Sequence, residues 1–222
     1  MQDYAAPTRA EYGKTDRREA VIGSLRAMAA AHPLIRLEEC GDGVPMVTLG
    51  SSADGRRVLY VGGLEPGDMA STLMLLRFTA DYVALVEGGK RLYGMQMRAL
   101  CENRAIGVIP MAGGAAFCEN PASCALVLAF DADEDAIRCQ TGADYPSRNG
   151  TVGRMLADMA GSPLFRNEPK DGRAWALTAA CGMAGIPAFC CGCRAEGGAD
   201  SDRTFRRYAA WREALFSAPI LV

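Results

Sequence analysis

Apolar residues recur at helical spacing at Val21, Ile22, Leu25, Met28 and Ala29, and His32-Pro33 stops the run. Asp16 followed by Glu19 resembles a capping box and predicts where this first helix begins. Three short β-like runs follow, LIRLEE, VPMVTLG and RRVLYVGG, with the turn-forming SSADGR between the last two, which predicts a hairpin feeding a central strand. Leu73, Leu76, Val83 and Val86 form a helical stripe between Met69 and Glu87, ended by Gly88-Gly89. A helix over KRLYGMQMRALCEN and strands at AIGVIPM and CALVLAF come next. The polar stretch DADEDAIRCQTGADYPSRNG then separates CALVLAF from a helix over Thr151 to Ala160. DGRAWALTAACGMAG predicts a helix capped by Asp171, IPAFCC a buried strand, and RTFRRYAAWREALF a terminal helix. Strands alternating with helices predict an α/β fold, a three-layer α/β/α sandwich around a mixed, mainly parallel sheet.

Composition narrows the function. A chain of 222 residues, 50% hydrophobic and 23% charged, can bury one substantial core, so one domain over residues 1–222 is expected. The formal charge is -2 and no basic run stands out, which argues against nucleic acid or an anionic membrane surface as partner. The polar N-terminus does not look like a secretory signal, and CALVLAF is too short to span a bilayer. Nine cysteines, three of them in CCGC, do not resemble a disulfide framework, so reduced thiols and a cytoplasmic location are expected. SSADG and PMAGG lack the Gly-Lys-Ser/Thr of a phosphate loop, and DADEDA lacks the spacing of an EF-hand.

Candidate chemistry starts in LYVGGLEPGDMASTLMLLRF, where a buried strand passes to a helix through a glycine-rich turn carrying Glu65 and Asp68. The order of these elements resembles the zinc carboxypeptidase family, the carboxypeptidase A-like metallopeptidases, and especially bacterial members that trim cell-wall peptides. There a strand ends in Gly-Gly-Ile-His-x-x-Glu, whose His and Glu hold zinc; GGLEPGD aligns without a gap, with Glu65 at the histidine and Asp68 at the glutamate. VIPMAGG resembles the end of a second family strand, and LVLAFDADEDAIR resembles the strand that delivers the third zinc ligand, with Asp131 in that histidine's place. IPAFCCGCR resembles Ile-Pro-Ser-Phe-Thr-x-Glu-x-Gly, with Gly192 in place of the general-base glutamate. The segment that carries the family's substrate-gripping Asn-Arg pair is shortened here to the few residues between Gly114 and Cys124.

The resemblance therefore implies a shortened, degenerate member that keeps the fold, has lost metallopeptidase activity and binds peptides such as cell-wall fragments. A second reading makes Glu65, Asp68 and Asp131 an oxygen-ligated metal site of an active carboxypeptidase or amidohydrolase. Three carboxylates within roughly 4 to 6 Å would need a cation, and calcium, magnesium or manganese suits oxygen donors better than the zinc of the family. Equally, Asp68 can simply cap its helix with Glu65 in water. A third reading is a non-enzymatic interaction or dimerisation module. Cys190, Cys191 and Cys193 would matter as ligands or nucleophiles only if one faced the pocket beside a base, and the chain's one histidine, His32, lies elsewhere in the family's layout; packing as small apolar groups is the simpler role.

Overall fold

A computed structural model of the chain describes residues 17–40, 44–65, 67–113, 123–194 and 200–222. The first helix, α1 (Arg17–Ala31), leads into an antiparallel hairpin of β1 (Ile35–Cys40) and β2 (Val44–Leu49), followed by β3 (Arg57–Val61) and the long helix α2 (Met69–Glu87). A small hairpin of β4 (Arg91–Leu92) and β5 (Met95–Gln96), helix α3 (Met97–Asn103), β6 (Ala105–Ile109) and β7 (Cys124–Asp131) come next. The chain then runs through β8 (Ile137–Cys139), α4 (Asn149–Ala160), β9 (Leu164–Arg166), α5 (Arg173–Met183), β10 (Ala188–Gly192) and α6 (Asp200–Ser217).

The sheet has the order β1-β2-β6-β3-β7-β10-β8-β9, and its centre, β6, β3, β7 and β10, is parallel. Strands buried on both faces read as continuous apolar runs, as VLYV and LVLAF do. Alternate residues supply the two cores. Tyr60, Leu128, Phe130 and Cys191 join the larger core with α1, α2, α4 and α6, whereas Leu59, Val127, Ala129 and Cys190 meet α5 through Ala174, Trp175 and Leu177. The result is the expected mixed, mainly parallel α/β/α arrangement. Large side chains lock α6 onto the sheet: Trp211 meets Phe130 edge-on at 5.1 Å and donates from Nε1 to the Gly192 carbonyl at 2.8 Å, and the Tyr60 hydroxyl donates to the Leu215 carbonyl at 2.6 Å. Each such buried side chain contributes about 1.5–3 kcal/mol. Helix α2 has the length and apolar composition of a membrane span, yet Met74, Leu75, Phe78, Tyr82 and Val83 on it are core residues packed under the sheet and α6.

Three local expectations need correction. KRLYG is not helical: Tyr93 and Gly94 take positive φ values of 46° and 79°, a turn that reverses the chain between β4 and β5 and leaves only MRALCEN as helix. The polar stretch after β7 contains β8, held between β10 and β9 although only three residues long. Asp171 does not cap α5; its N-cap is Gly172, with no side-chain cap bond of its own. Asp16 and the crossing at 114–122 lie outside the described residues.

Candidate functional site

The turn after β3 is set by glycine. Gly63 has φ +58°, and a Cβ there would sit 2.7 Å from Thr72 Oγ1 and 2.8 Å from Met111 Cα. The turn can therefore lie directly on the segment that follows β6, where Ala112 and Gly113 donate their N–H groups to the Gly62 and Gly63 carbonyls, each at 2.9 Å. This close approach carries Glu65 and Asp68 to the C-terminal edge of the parallel strands, where Asp131 ends β7.

Asp68 is the N-cap of α2. Its Oδ1 accepts the Ser71 N–H at 3.0 Å, its Oδ2 accepts the Ser71 hydroxyl at 2.6 Å, and Ser71 Oγ in turn accepts the Gly63 N–H at 2.7 Å. Burial pushes the Asp68 carboxyl above its ordinary value, the Asp131 charge adds to this, and the Ser71 hydrogen bonds only partly oppose it. Glu65 reaches across to α5, where its Oε1 accepts the Arg173 N–H at 2.7 Å, while Arg173 Nη1 donates to the Leu64 carbonyl at 3.0 Å. Glu65 thus caps the helix that Asp171 was expected to cap, and an acid at a helix N-terminus is favoured by the dipole.

Asp131 is 7% exposed and faces a lysine. Lys170 Nζ donates to its Oδ2 at 3.0 Å and lies 3.4 Å from Oε2 of Glu134, which is equally buried, and the Asp133 N–H fills Asp131 Oδ1 at 2.9 Å. Glu134 also accepts Arg138 Nε at 2.8 Å. Burial works to raise the Glu134 carboxyl, but the Arg138 hydrogen bond, the Asp135 N–H and the Lys170 charge outweigh it and bring it down to about 2. Burial likewise opposes the Lys170 charge, and the two carboxylates overcome it, so this ammonium is held above its ordinary value.

The carboxylates expected to bind metal therefore gather at one end of the sheet, and each is turned toward a protein donor. Glu65 and Asp131 both face Gly172, where a Cβ would lie 3.6 Å from Glu65 Oε1 and 3.9 Å from Asp131 Oδ2. Among the described residues, no group of three or more His, Cys, Asp and Glu side chains is placed to hold a metal ion. The residues present do not fit the zinc of the family. They offer no imidazole, since His32 pairs with Glu87 at 2.8 Å at the opposite end of α2, about 28 Å away along a 19-residue helix.

Gly192, where the resemblance expects a general base, is sealed by backbone. A Cβ on it would lie 2.5 Å from Ala136 N, 2.6 Å from Glu134 C and 2.7 Å from Asp135 N, so no side chain fits there without displacing the main chain of the β7–β8 connection. The same connection is tied to β10 by Gly192 N–H to Ala136 O at 2.7 Å and Arg194 N–H to Glu134 O at 2.8 Å. The adjoining cysteines are buried, and burial drives their thiols upward, Cys190 to about 12 and Cys191 and Cys193 well above their ordinary value. They are protonated packing groups at neutral pH, without the thiolate a nucleophile needs. Lys170, Arg173, Glu134 and Arg138 were not singled out from the sequence. The first two lie in NEPKDGR more than thirty positions from their partners, and nothing local marks the pairing.

No protein-family model and no curated protein sequence matches the chain. Solved structures do. A metallo-carboxypeptidase from Burkholderia cenocepacia superposes with a TM-score of 0.56 at 12% identity, over 91% of this chain and 68% of that one. The Pseudomonas aeruginosa metallo-carboxypeptidase gives 0.51 at 11% identity over 89% and 67%, and bovine thrombin-activatable fibrinolysis inhibitor gives 0.59 at 8% identity over 91% and 96%. With the order of elements along the chain, these likenesses make this protein carboxypeptidase-like in fold.

Proposed function

We propose that this chain is a carboxypeptidase-fold protein whose metallopeptidase chemistry is lost, and that the edge of the sheet once used for catalysis serves as a peptide-binding surface. The observation that carries the proposal is the Lys170 ammonium, 3.0 Å from Asp131 Oδ2, at the position where the family resemblance puts a zinc ligand. A divalent cation at Asp131 would have to displace an ammonium that two buried carboxylates already hold. Gly192 leaves no room for a general base, and without one a metal-bound water has nothing to take its proton. Arg173, 48% exposed and 4.0 Å from Glu65, and the part of Lys170 that its two carboxylates leave open, 27% exposed, suit the free α-carboxylate of a peptide or the carboxylates of a cell-wall fragment. Eight described cysteines without disulfides favour a reducing compartment such as the cytoplasm.

The test is to titrate chelator-treated protein with zinc, calcium, magnesium and manganese, and to assay hydrolysis of C-terminal peptides and of γ-D-glutamyl-diaminopimelate peptides. We expect no binding of any of these metals tighter than about 1 mM, and no turnover. Chelator-sensitive hydrolysis would overturn the reading. In an NMR titration with the same peptides, shifts should cluster at Lys170 and Arg173; their absence would favour a non-enzymatic module that binds something else.

A further inference from the structure

At the opposite end of the same parallel strands, the chain forms a cleft of about 300 Å³, within the size range of small-molecule sites. Arg56 and Asp54 come from the β2–β3 turn, Arg104 from the end of α3, and Ser147 and Arg148 from the loop entering α4, with Pro219 and Val222 along one side. It lies about 17–26 Å from the Asp131 cluster, the length of strands of five to eight residues, and is independent of the function proposed above.

The arginines of this cleft are oriented chiefly by neutral carbonyls, and only Arg56 has an acid, Asp54, near enough in the lining for the charges to interact. Arg56 Nη2 donates to the Cys124 carbonyl at 2.8 Å, and Arg104 donates from Nε to the Pro219 carbonyl at 3.0 Å and from Nη1 to the Asn103 carbonyl at 3.2 Å. Neutral carbonyls fix a guanidinium in place while leaving its full charge and its remaining N–H groups available. Arg148 has no hydrogen bond or ion pair from its side chain to a described residue. The one acid side chain in the lining, Asp54, is occupied locally: its Oδ1 accepts the Ser52 hydroxyl and the Arg56 main-chain N–H, the contacts that hold its carboxyl below the usual range. Three arginines from three separate segments thus line one concavity.

We propose that this cleft binds a small phosphate monoester. A phosphate offers three terminal oxygens in a pyramid and can accept bidentate bonds from several directions at once, whereas a carboxylate offers two oxygens in one plane. The Ser147 hydroxyl, also in the lining, suits a remaining oxygen or the sugar-like body of the ester.

The proposal is tested by calorimetric titration of the full chain with glucose 6-phosphate, glucose, inorganic phosphate and succinate, at low and at physiological salt. The phosphate ester should bind in the micromolar range, about tenfold or more tighter than succinate, and glucose should not bind. Arg148→Ala and Arg104→Gln should each weaken the ester about tenfold. Because the Arg148 side chain bonds no other described residue, its variant reports on binding with little folding penalty, which circular dichroism checks for both variants. No heat from any phosphate compound up to about 10 mM, equal binding of succinate, or affinity unchanged in Arg148→Ala would each overturn the proposal.

Discussion

The two ends of the central parallel strands carry charge in opposite ways. At the C-terminal end, Asp131 and Glu134 are buried, and the protein supplies their counterions from Lys170 and Arg138. At the N-terminal end, Arg56 and Arg104 are held by carbonyl dipoles, and Arg148 by none, so cationic charge faces an open cleft. A charge compensated from within is part of the architecture, because removing its partner leaves an ion buried alone. A charge that is oriented but uncompensated contributes little to stability and is available to a ligand. In this fold class the carboxyl ends of the strands form the binding crevice, and the contrast adds arginines held by carbonyls at the other end.

The sharpest way to break this comparison is to place a glutamate at position 192, where the family resemblance expects a general base. Gly192→Glu should destabilise the protein by about 3 kcal/mol or more, because its Cβ falls on the backbone of residues 134–136; a variant that melts like the parent and hydrolyses peptides with zinc would mean this end can still open.

Lys170→Met comes next. It removes the cation shared by two buried carboxylates and should cost about 2 kcal/mol in chemical denaturation, less than a fully buried pair because Lys170 is 27% exposed. The same variant has a pH signature. Glu134 is lowered in the folded state from an ordinary 4.5 to about 2, so its stabilisation is complete above about 4.5 and fades as the pH falls toward 2. Loss of the Lys170 charge raises the folded value and should move acid unfolding to higher pH. An unchanged acid midpoint would show that Arg138 alone holds Glu134 down.

The smallest effect is expected at the other end. Arg148→Ala should shift stability by no more than about 0.5 kcal/mol in the same denaturation series. A larger loss would make this arginine structural and erase the contrast between the ends.

Much of the architecture was legible in the sequence. The bounds of α2 follow from an apolar stripe between Asp68 and Gly88, and the buried strands β3, β7 and β10 announce themselves as apolar runs, because burial on both faces leaves no polar positions. Where the signal failed, it was short and local: Tyr93-Gly94 sits inside a helix-like pattern, and β8 is three residues of strand in a polar stretch. The candidate carboxylates were also legible, since Glu65, Asp68 and Asp131 stand at strand-to-loop junctions that read clearly from turn glycines and strand ends.

The sequence by itself thus determined the periodicities, and through them the elements, their likeness to the carboxypeptidase scaffold and the positions of its acids. Only the tertiary structure decided what those acids touch. Lys170 meets Asp131 across 39 positions and Arg173 meets Glu65 across 108, and the backbone of residues 134–136 closes over Gly192. Hydrophobic periodicity is a property of neighbours along the chain, whereas the partner of a buried charge is fixed by how separate elements pack, and no local pattern encodes that meeting.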